Sequence, residues 1–144
     1  MGEISNQKIV PYFMFNGLAE EAMQFYMDAF GDGEVMGLMR YQDEEANLDF
    51  PIPPGYERKV LHAQFRIHDQ ILYCSDAVGK DGGNISLTIE CQSEEEIKRL
   101  LERLSQGGEI QMPLQDVFWG AQFAVLKDKF SIHWQLNFQN ENDL

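Results

Sequence analysis

The chain reads Ile9-Val-Pro-Tyr-Phe-Met-Phe15, then Leu18-Ala-Glu-Glu-Ala-Met-Gln-Phe-Tyr-Met-Asp-Ala-Phe30, then Gly31-Asp-Gly33. The same order of a strand-like run, an amphipathic run and a glycine pair returns at residues 84–90, 93–105 and 107–108. Each copy continues into further strand-like runs. This duplication predicts an α+β fold made of two βαβββ modules. A ligand site is expected in the cup between the paired sheets.

The two amphipathic runs predict helices near residues 18–30 and 93–105. In each run the apolar residues recur at helical spacing and the polar residues lie mainly on the other side. Gly31 follows the last apolar residue of the first run, where a C-terminal cap is expected. Ser93 and Glu96 have the spacing of a capping box. Each helix should therefore cover one face of a sheet.

Three runs alternate between apolar and polar residues: 61–67, 84–91 and 130–138. Such strands have one apolar face, expected under the helices, and one polar face, and they are typical of antiparallel sheets. The polar face is either a solvated outer surface or the lining of a concave cup, and composition alone favours the first. Hairpins are predicted at His68-Asp69-Gln70 and Lys127-Asp128-Lys129, with the last strand starting at Phe130.

Length and composition predict a single domain, residues 1–144, with modules at 8–78 and 83–138. A chain of 144 residues that is 44% hydrophobic can bury an ordinary core. Cys74 and Cys91 lie in strand-like runs and are predicted to be buried, reduced thiols. The acidic, proline-containing connection between Tyr41 and Arg58 is interpreted either as a lid or binding loop, or as a disordered segment.

The charge balance is strongly acidic, with 24 acidic and 11 basic residues and a net charge of −13. This field repels a phosphate backbone, so nucleic acid is not expected as a partner. The N-terminus lacks a secretory pattern, and no apolar run approaches the roughly 20 residues of a membrane span. We therefore expect a cytoplasmic protein with no membrane partner.

Several longer motifs resemble a known family. Pro11-Tyr-Phe-Met-Phe15 with Ala22-Met-Gln-Phe-Tyr-Met-Asp-Ala-Phe-Gly31 resembles the opening of PhnB-like proteins. These belong to the glyoxalase/bleomycin-resistance/dioxygenase, or vicinal oxygen chelate, superfamily, whose PhnB-like group often carries a 3-demethylubiquinone-9 3-methyltransferase label. The most specific tract is Gly107-Gly-Glu-Ile-Gln-Met-Pro-Leu-Gln-Asp-Val-Phe-Trp-Gly120. One departure is Ser131, where relatives usually have glycine.

The resemblance implies paired βαβββ modules whose mainly antiparallel sheets curve around a small-molecule cup. It also predicts a homodimer, because many members of the superfamily form one. Metal-dependent members of the superfamily hold a divalent ion with His and Glu side chains. The corresponding positions here are Pro11, Tyr73 or Ser75, Asn84 and Gln135. Proline offers no ligand and an amide is a poor substitute for imidazole or carboxylate. The resemblance therefore predicts no metal site and no cofactor.

The same matching favours the cup over the solvated face and supplies the candidate site. His62 is the candidate general base or ligand partner, because imidazole serves either role near neutral pH, although a structural hydrogen bond is the competing interpretation. Trp119 either stacks on a flat ligand or fills the core. The other candidate ligand-binding residues lie on strands: Tyr73, Asn84, Ser86, Thr88, His133 and Gln135.

Two functions remain open at the level of sequence. The first is a small-molecule-binding protein without catalysis, which the absent metal ligands favour. The second is a glyoxalase-type enzyme acting on a small oxygenated substrate through His62 or a nonstandard metal site. The glycines never form the Gly-rich strand-to-helix turn of a nucleotide-type cofactor site, so methyl transfer is not expected.

Overall fold

The computed structural model describes residues 7, 9–79, 85–117 and 120–139. The chain divides into two compact units, residues 1–81 and 82–144. In the described part of the chain, neither helix has the length and apolar composition needed to cross a membrane.

The first unit is a four-stranded sheet with one helix. Its elements are β1 (Tyr12–Phe15), α1 (Ala19–Phe30), β2 (Glu34–Arg40), a 3-10 helix (Glu44–Ala46), β3 (Val60–Ile67) and β4 (Gln70–Asp76). The strand order is β1-β4-β3-β2. The β1–β4 pair is parallel and the other two pairs are antiparallel. Helix α1 contacts β3 and β4 and buries Ala22, Met23 and Tyr26.

The second unit repeats this plan. Its elements are β5 (Ser86–Glu90), α2 (Glu94–Leu104), β6 (Glu109–Val117), β7 (Ala121–Lys127) and β8 (His133–Gln139). The strand order is β5-β8-β7-β6, again with one parallel pair, β5–β8. Helix α2 contacts β7 and β8 and buries Ile97, Leu100 and Leu104.

The predicted βαβββ order is thus confirmed in both units, and both helices lie where their periodicity predicts them. The strands form two mixed sheets of four strands each, and neither sheet is closed. The parallel pairing of the first and last strand in each unit was not predicted, since alternation reveals a strand's faces but not its neighbour.

The helix ends follow the predicted capping chemistry with one difference. Gly31 adopts a φ of 71° and donates its N–H to the Met27 carbonyl. The Ser93 hydroxyl oxygen accepts the Glu96 N–H at 3.0 Å. The Glu96 carboxylate accepts the N–H of Gln92, one residue before the cap, at 2.7 Å, whereas a standard capping box uses the cap residue itself.

The predicted start of the last strand, Phe130, is wrong, because β8 begins at His133. The Asp128 carboxylate organises a longer turn before it. One oxygen accepts the N–H groups of Phe130 and Ile132 at 2.8 and 3.1 Å, and the other accepts Trp134 Nε1–H at 2.8 Å. Backbone N–H groups held by this carboxylate are not available to a strand ladder.

Both cysteines are free and buried, as predicted. Burial raises the pKa of the Cys74 thiol to about 12, and the nearby Asp76 carboxylate acts in the same direction. Burial likewise raises the pKa of Cys91 to about 12.

The connection after β2 contains the 3-10 helix, and its ends are joined by the Tyr41 N–H, which donates to the Lys59 carbonyl at 3.1 Å.

Candidate functional site

The sheet of the first unit has one face under α1 and one face turned away from it. Phe13, Ala63 and Cys74 lie on the covered face and are buried. On the uncovered face, Tyr73 of β4 pairs with Tyr12 of β1 on one side and with Gln64 of β3 on the other. His62 lies on the same face, because it is two residues from Gln64 on β3. Alternation therefore brings three ring-bearing side chains from three strands onto one surface.

Tyr12, His62 and Tyr73 form an aromatic cluster on this face. The Tyr12 hydroxyl and His62 Nδ1 are 3.1 Å apart and share a hydrogen bond whose donor depends on the imidazole tautomer. Ring centroids are 5.7 Å apart for Tyr12 and His62, 5.3 Å for His62 and Tyr73, and 5.9 Å for the two tyrosines. Tyr12 is 45% exposed, and the other two rings are half-buried. The cluster is accessible while its ring orientations are mutually restrained.

Two methionines extend the cluster on the same face. Met14 pairs in register with Ser75, and Met39 pairs with His62. Met14 is 48% exposed and Met39 is half-buried. Apolar side chains around a few hydrogen-bonding groups are the usual lining of small-molecule sites, and thioethers adapt to irregular ligand shapes.

Sequence reasoning identified His62 and Tyr73 but missed Tyr12. Matching by family landmarks placed attention on Pro11, whereas the register aligns Tyr12 with Tyr73, and the Pro11 carbonyl accepts the Tyr73 N–H at 3.0 Å. The alternation of Tyr12 and Met14 with the buried Phe13 and Phe15 was the available signal.

The second sheet also has a polar face, and it carries four of the predicted site residues. Ser86 pairs with His133 and Thr88 pairs with Gln135 across the parallel β5–β8 ladder. The Thr88 hydroxyl donates to Gln135 Oε1 at 3.3 Å. Ser86 and Thr88 are exposed, and the two β8 side chains are half-buried.

One further pair on that face was not predicted. Glu90 lies opposite Asn137, and the Asn137 side-chain amide donates to the Glu90 carboxylate at 2.9 Å. Asn137 is 9% exposed. Two other predicted site residues, Asn84 and Trp119, lie outside the described residues.

The positions that the family resemblance assigns to metal ligands do not carry the donor chemistry of a divalent transition-metal site. Tyr73 and Ser75 supply neutral oxygens, and Gln135 supplies an amide that is already hydrogen-bonded to Thr88. Within the described ranges, no three His, Cys, Asp or Glu side chains are grouped as a metal site requires. Transition metals prefer imidazole, thiolate and carboxylate ligands.

Comparison with known proteins identifies the family. A family model described as 3-demethylubiquinone-9 3-methyltransferase matches residues 7–137. The protein YjdN of Escherichia coli (strain K12) is 28% identical over 141 residues, covering 88% of this chain and 92% of that protein. These matches show that the chain is related to these proteins. The word methyltransferase is part of the family's name and does not describe a demonstrated activity of this chain.

Solved structures agree with this assignment. A protein from Bacillus cereus, described as a putative 3-demethylubiquinone-9 3-methyltransferase and PhnB protein, is 36% identical with a TM-score of 0.78. The match covers 92% of this chain and 99% of that one. The fosfomycin resistance protein FosX of Listeria monocytogenes is 13% identical with a TM-score of 0.63, covers 96% of this chain and 97% of that one, and shows the fold alone. The chain therefore belongs to the 3-demethylubiquinone-9 3-methyltransferase family of PhnB-like proteins, and it has the glyoxalase/bleomycin-resistance fold.

Proposed function

We propose that the protein binds a small organic molecule on the uncovered face of its first sheet, without a bound transition metal. The observation that carries this proposal is the Tyr12–His62–Tyr73 cluster, in which Tyr12 hydrogen-bonds His62 at 3.1 Å and the rings remain accessible. A cluster with no binding role would leave a half-exposed tyrosine and a half-exposed methionine side by side on the surface.

The cluster offers a ligand both contact area and direction. Aromatic rings bury large apolar surfaces at a small cost in side-chain entropy, and the phenols and imidazole supply donors and acceptors. Met14 and Met39 add adaptable apolar contacts beside them. These groups suit a small molecule with an apolar portion and at least one oxygen or nitrogen atom.

The polar residues of the second sheet are proposed as a further ligand-binding set, independent of the first. Ser86, Thr88, His133 and Gln135 supply hydroxyl, imidazole and amide groups along two neighbouring strands. The predicted roles of Asn84 and Trp119 stay predictions.

A glyoxalase-type enzyme is the second candidate, and the Tyr12–His62 hydrogen bond is the observation that favours it. If Tyr12 donates to Nδ1, His62 carries its proton on Nε2 and acts as a donor to substrate. If Nδ1–H donates to the phenol oxygen, Nε2 is an acceptor that can take a substrate proton. A fixed imidazole orientation serves general acid–base catalysis in either tautomer.

A ligand screen tests the binding proposal. Full-length protein is screened against a metabolite library by thermal shift, and hits are confirmed by NMR chemical-shift perturbation. We expect hits that shift the NMR signals of Tyr12, His62 and Tyr73. We expect Tyr12→Phe and His62→Gln each to lower the affinity for these hits by about tenfold. His68→Asn is the matched control, because His68 lies in the β3–β4 turn with a φ of 54° that Asn tolerates.

The outcomes separate the two candidates. Hits that leave the cluster residues unperturbed, or that bind the two cluster variants as tightly as the native chain, contradict the proposed site. Turnover of a confirmed hit supports the enzyme, provided that His62→Gln lowers kcat more than it raises KM. Binding without turnover supports the noncatalytic protein.

We also propose that the two units act within one domain and that the protein is a homodimer. The edge strand β6 supports the second point, since it is nine residues long and mostly exposed, with Ile110 46% and Met112 36% exposed. An open edge of this kind pairs readily with another chain. Light scattering across a dilution series tests the homodimer, and a stable monomer at every concentration contradicts it.

The cytoplasmic location stays a prediction from the sequence.

A further inference from the structure

The first unit contains a cleft, on the opposite side of β4 from Tyr73. It is a cleft of about 700 Å³, a size typical of small-molecule sites. Five segments contribute its walls: the β1–α1 loop, the N-terminal half of α1, the end of β2 with the residues just after it, the residues just before β3, and the end of β4. The charged and loop residues that matter below are Gly17, Glu20, Glu21, Arg40, Arg58 and Lys59.

Arg40 and Glu20 form a fixed wall of the cleft. The Arg40 guanidinium donates two parallel hydrogen bonds to the Glu20 carboxylate, at 2.9 and 2.8 Å, and a third to the Arg58 carbonyl at 2.7 Å. The hydrogen bonds from Arg40 lower the pKa of the Glu20 carboxyl, so this pair stays ionised at neutral pH. Its charges neutralise each other and hold α1 against the segment before β3.

The α1 N-terminus is also occupied by the protein itself. Asp76, 2% exposed, accepts the Ala19 N–H at 2.8 Å and the Val60 N–H at 2.9 Å. Its carboxylate supplies the negative charge that a helix N-terminus favours. A ligand in the cleft must therefore be held by other groups.

Three charges in the cleft retain unused hydrogen-bonding capacity. Lys59 Nζ donates one bond, to the Gly17 carbonyl at 2.8 Å, and an ammonium has three donors. Arg58 and Glu21 are exposed, and their side chains form no hydrogen bond or ion pair with any residue that the structure describes. Besides the Arg40–Glu20 pair, the cleft therefore contains two cations, Arg58 and Lys59, and two carboxylates. Of the two carboxylates only Glu21 is accessible to a ligand, because Asp76 is buried and each of its oxygens accepts a backbone N–H.

We propose that this cleft binds a small aminocarboxylate zwitterion, with the ligand carboxylate on Arg58 and Lys59 and the ligand ammonium on Glu21. A guanidinium fork matches a carboxylate, and the remaining lysine donors add to it. A simple anion is disfavoured, because Glu21 lines the same cleft and the chain carries a net charge of −13. This site is separate from the aromatic cluster and goes beyond the proposed function.

The test is an NMR titration of the ¹⁵N-labelled full-length protein with four probes of increasing length: glycine, β-alanine, 4-aminobutyrate and 6-aminohexanoate. Butyrate and butylammonium are the matched probes that carry only one of the two charges. We expect one of the four zwitterions to bind at least about tenfold more tightly than either single-charge probe. The shifts should centre on residues 17–21, 40 and 58–59.

Variants identify the charges that bind. Arg58→Gln and Glu21→Gln should each lower the affinity for the zwitterion by about fivefold or more. Because both residues are exposed, the variants should keep the native fold. Arg99→Gln, an exposed arginine on α2, is the matched control for the loss of one positive charge and should have no effect. His62→Gln should leave this titration unchanged, which separates it from the proposed function.

Three results overturn the proposal. They are the absence of saturating shifts in the millimolar range, equally tight binding of butyrate, and full retention of binding in both cleft variants.

Discussion

Ser131 has a backbone conformation that favours glycine, the residue that the family resemblance predicts at this position. Its φ of 72° lies in the left-handed region, and its N–H donates to the Asp128 carbonyl at 3.0 Å within the turn before β8. An L-residue in that region is about 1–2 kcal/mol less favourable than in the right-handed one, whereas glycine adopts either at similar cost. The departure noted in the sequence is therefore a source of local strain.

We predict that Ser131→Gly stabilises the protein by about 0.5–1 kcal/mol, because relief of the strain exceeds the extra entropy that glycine gains in the unfolded chain. Urea denaturation measures the change. Ser105→Gly is the control, since Ser105 has a φ of −83° and should lose stability on the same substitution. An unchanged or lowered midpoint for Ser131→Gly contradicts the prediction.

The two thiols predict a specific pH dependence. Burial raises the pKa of Cys74 and Cys91 from about 9 to about 12. A thiol whose pKa is higher in the folded than in the unfolded state contributes stability that is complete below pH 9, and that contribution is lost as the pH rises towards 12. The neutral, buried form is also a poor nucleophile.

Neither cysteine should therefore react with a thiol reagent such as DTNB in the native protein at pH 8, and two thiols per chain should react in urea. The urea midpoint should fall steadily above pH 9. Rapid labelling of one thiol in the native state at pH 8 would show that its site opens readily.

At the scale of elements, Asp76 joins three segments of the first unit. Leu18, at the start of α1, provides no side-chain cap, and Asp76 on β4 supplies one from a distance in sequence. The same carboxylate accepts the Val60 N–H at the start of β3. Because Asp76 is 2% exposed, an unpaired backbone donor there has no water to replace the lost partner.

Asp76→Asn should lower the free energy of unfolding by about 1–3 kcal/mol. The Ala19 and Val60 N–H groups both need an acceptor, and one of them would face the NH₂ group of the asparagine. Urea denaturation gives the total, and hydrogen exchange should show lost protection at the start of α1. Asp28→Asn is the matched control on the exposed side of the same helix and should change stability by less than about 0.5 kcal/mol. Equal effects of the two substitutions would mean that Asp76 acts by charge alone.

Elements with a strong local signal were predictable, and those that depend on tertiary partners were not. Periodicity located both helices and the strand Val60–Ile67. It misplaced the start of β8, because the Asp128 carboxylate draws the Phe130 and Ile132 N–H groups into a turn. Strand β6 contains Pro113, which removes one ladder donor, and its place at the edge of the sheet tolerates that loss.

The candidate site was predictable in part for the same reason. Alternation placed His62 on a polar strand face, and the resemblance pointed to Tyr73. The contact with Tyr12 depends on the parallel β1–β4 register, which no local pattern specifies. A shift of one residue in that register would have turned Tyr12 to the covered face.

At the scale of the whole molecule, the donor chemistry of the two sheets leads to a prediction about metal. Tyr73, Ser75 and Gln135, three of the positions that the family resemblance assigns to metal ligands, offer only neutral oxygens. No grouped set of three suitable side chains occurs in the described ranges of either unit. An ion bound at any one of these positions would lose part of its hydration without a carboxylate to offset the cost.

We therefore expect purified protein to carry far less than one zinc, nickel or iron ion per chain, as measured by elemental analysis. EDTA should leave the melting temperature essentially unchanged, because a ligand that is not bound to the native state adds no stability. Adding zinc, nickel or iron(II) in turn should raise it little. One tightly held ion per chain, with a melting temperature that falls on chelation, would contradict the prediction. If that ion required His62, as shown by its loss in His62→Gln, the glyoxalase-type enzyme would become the better-supported function.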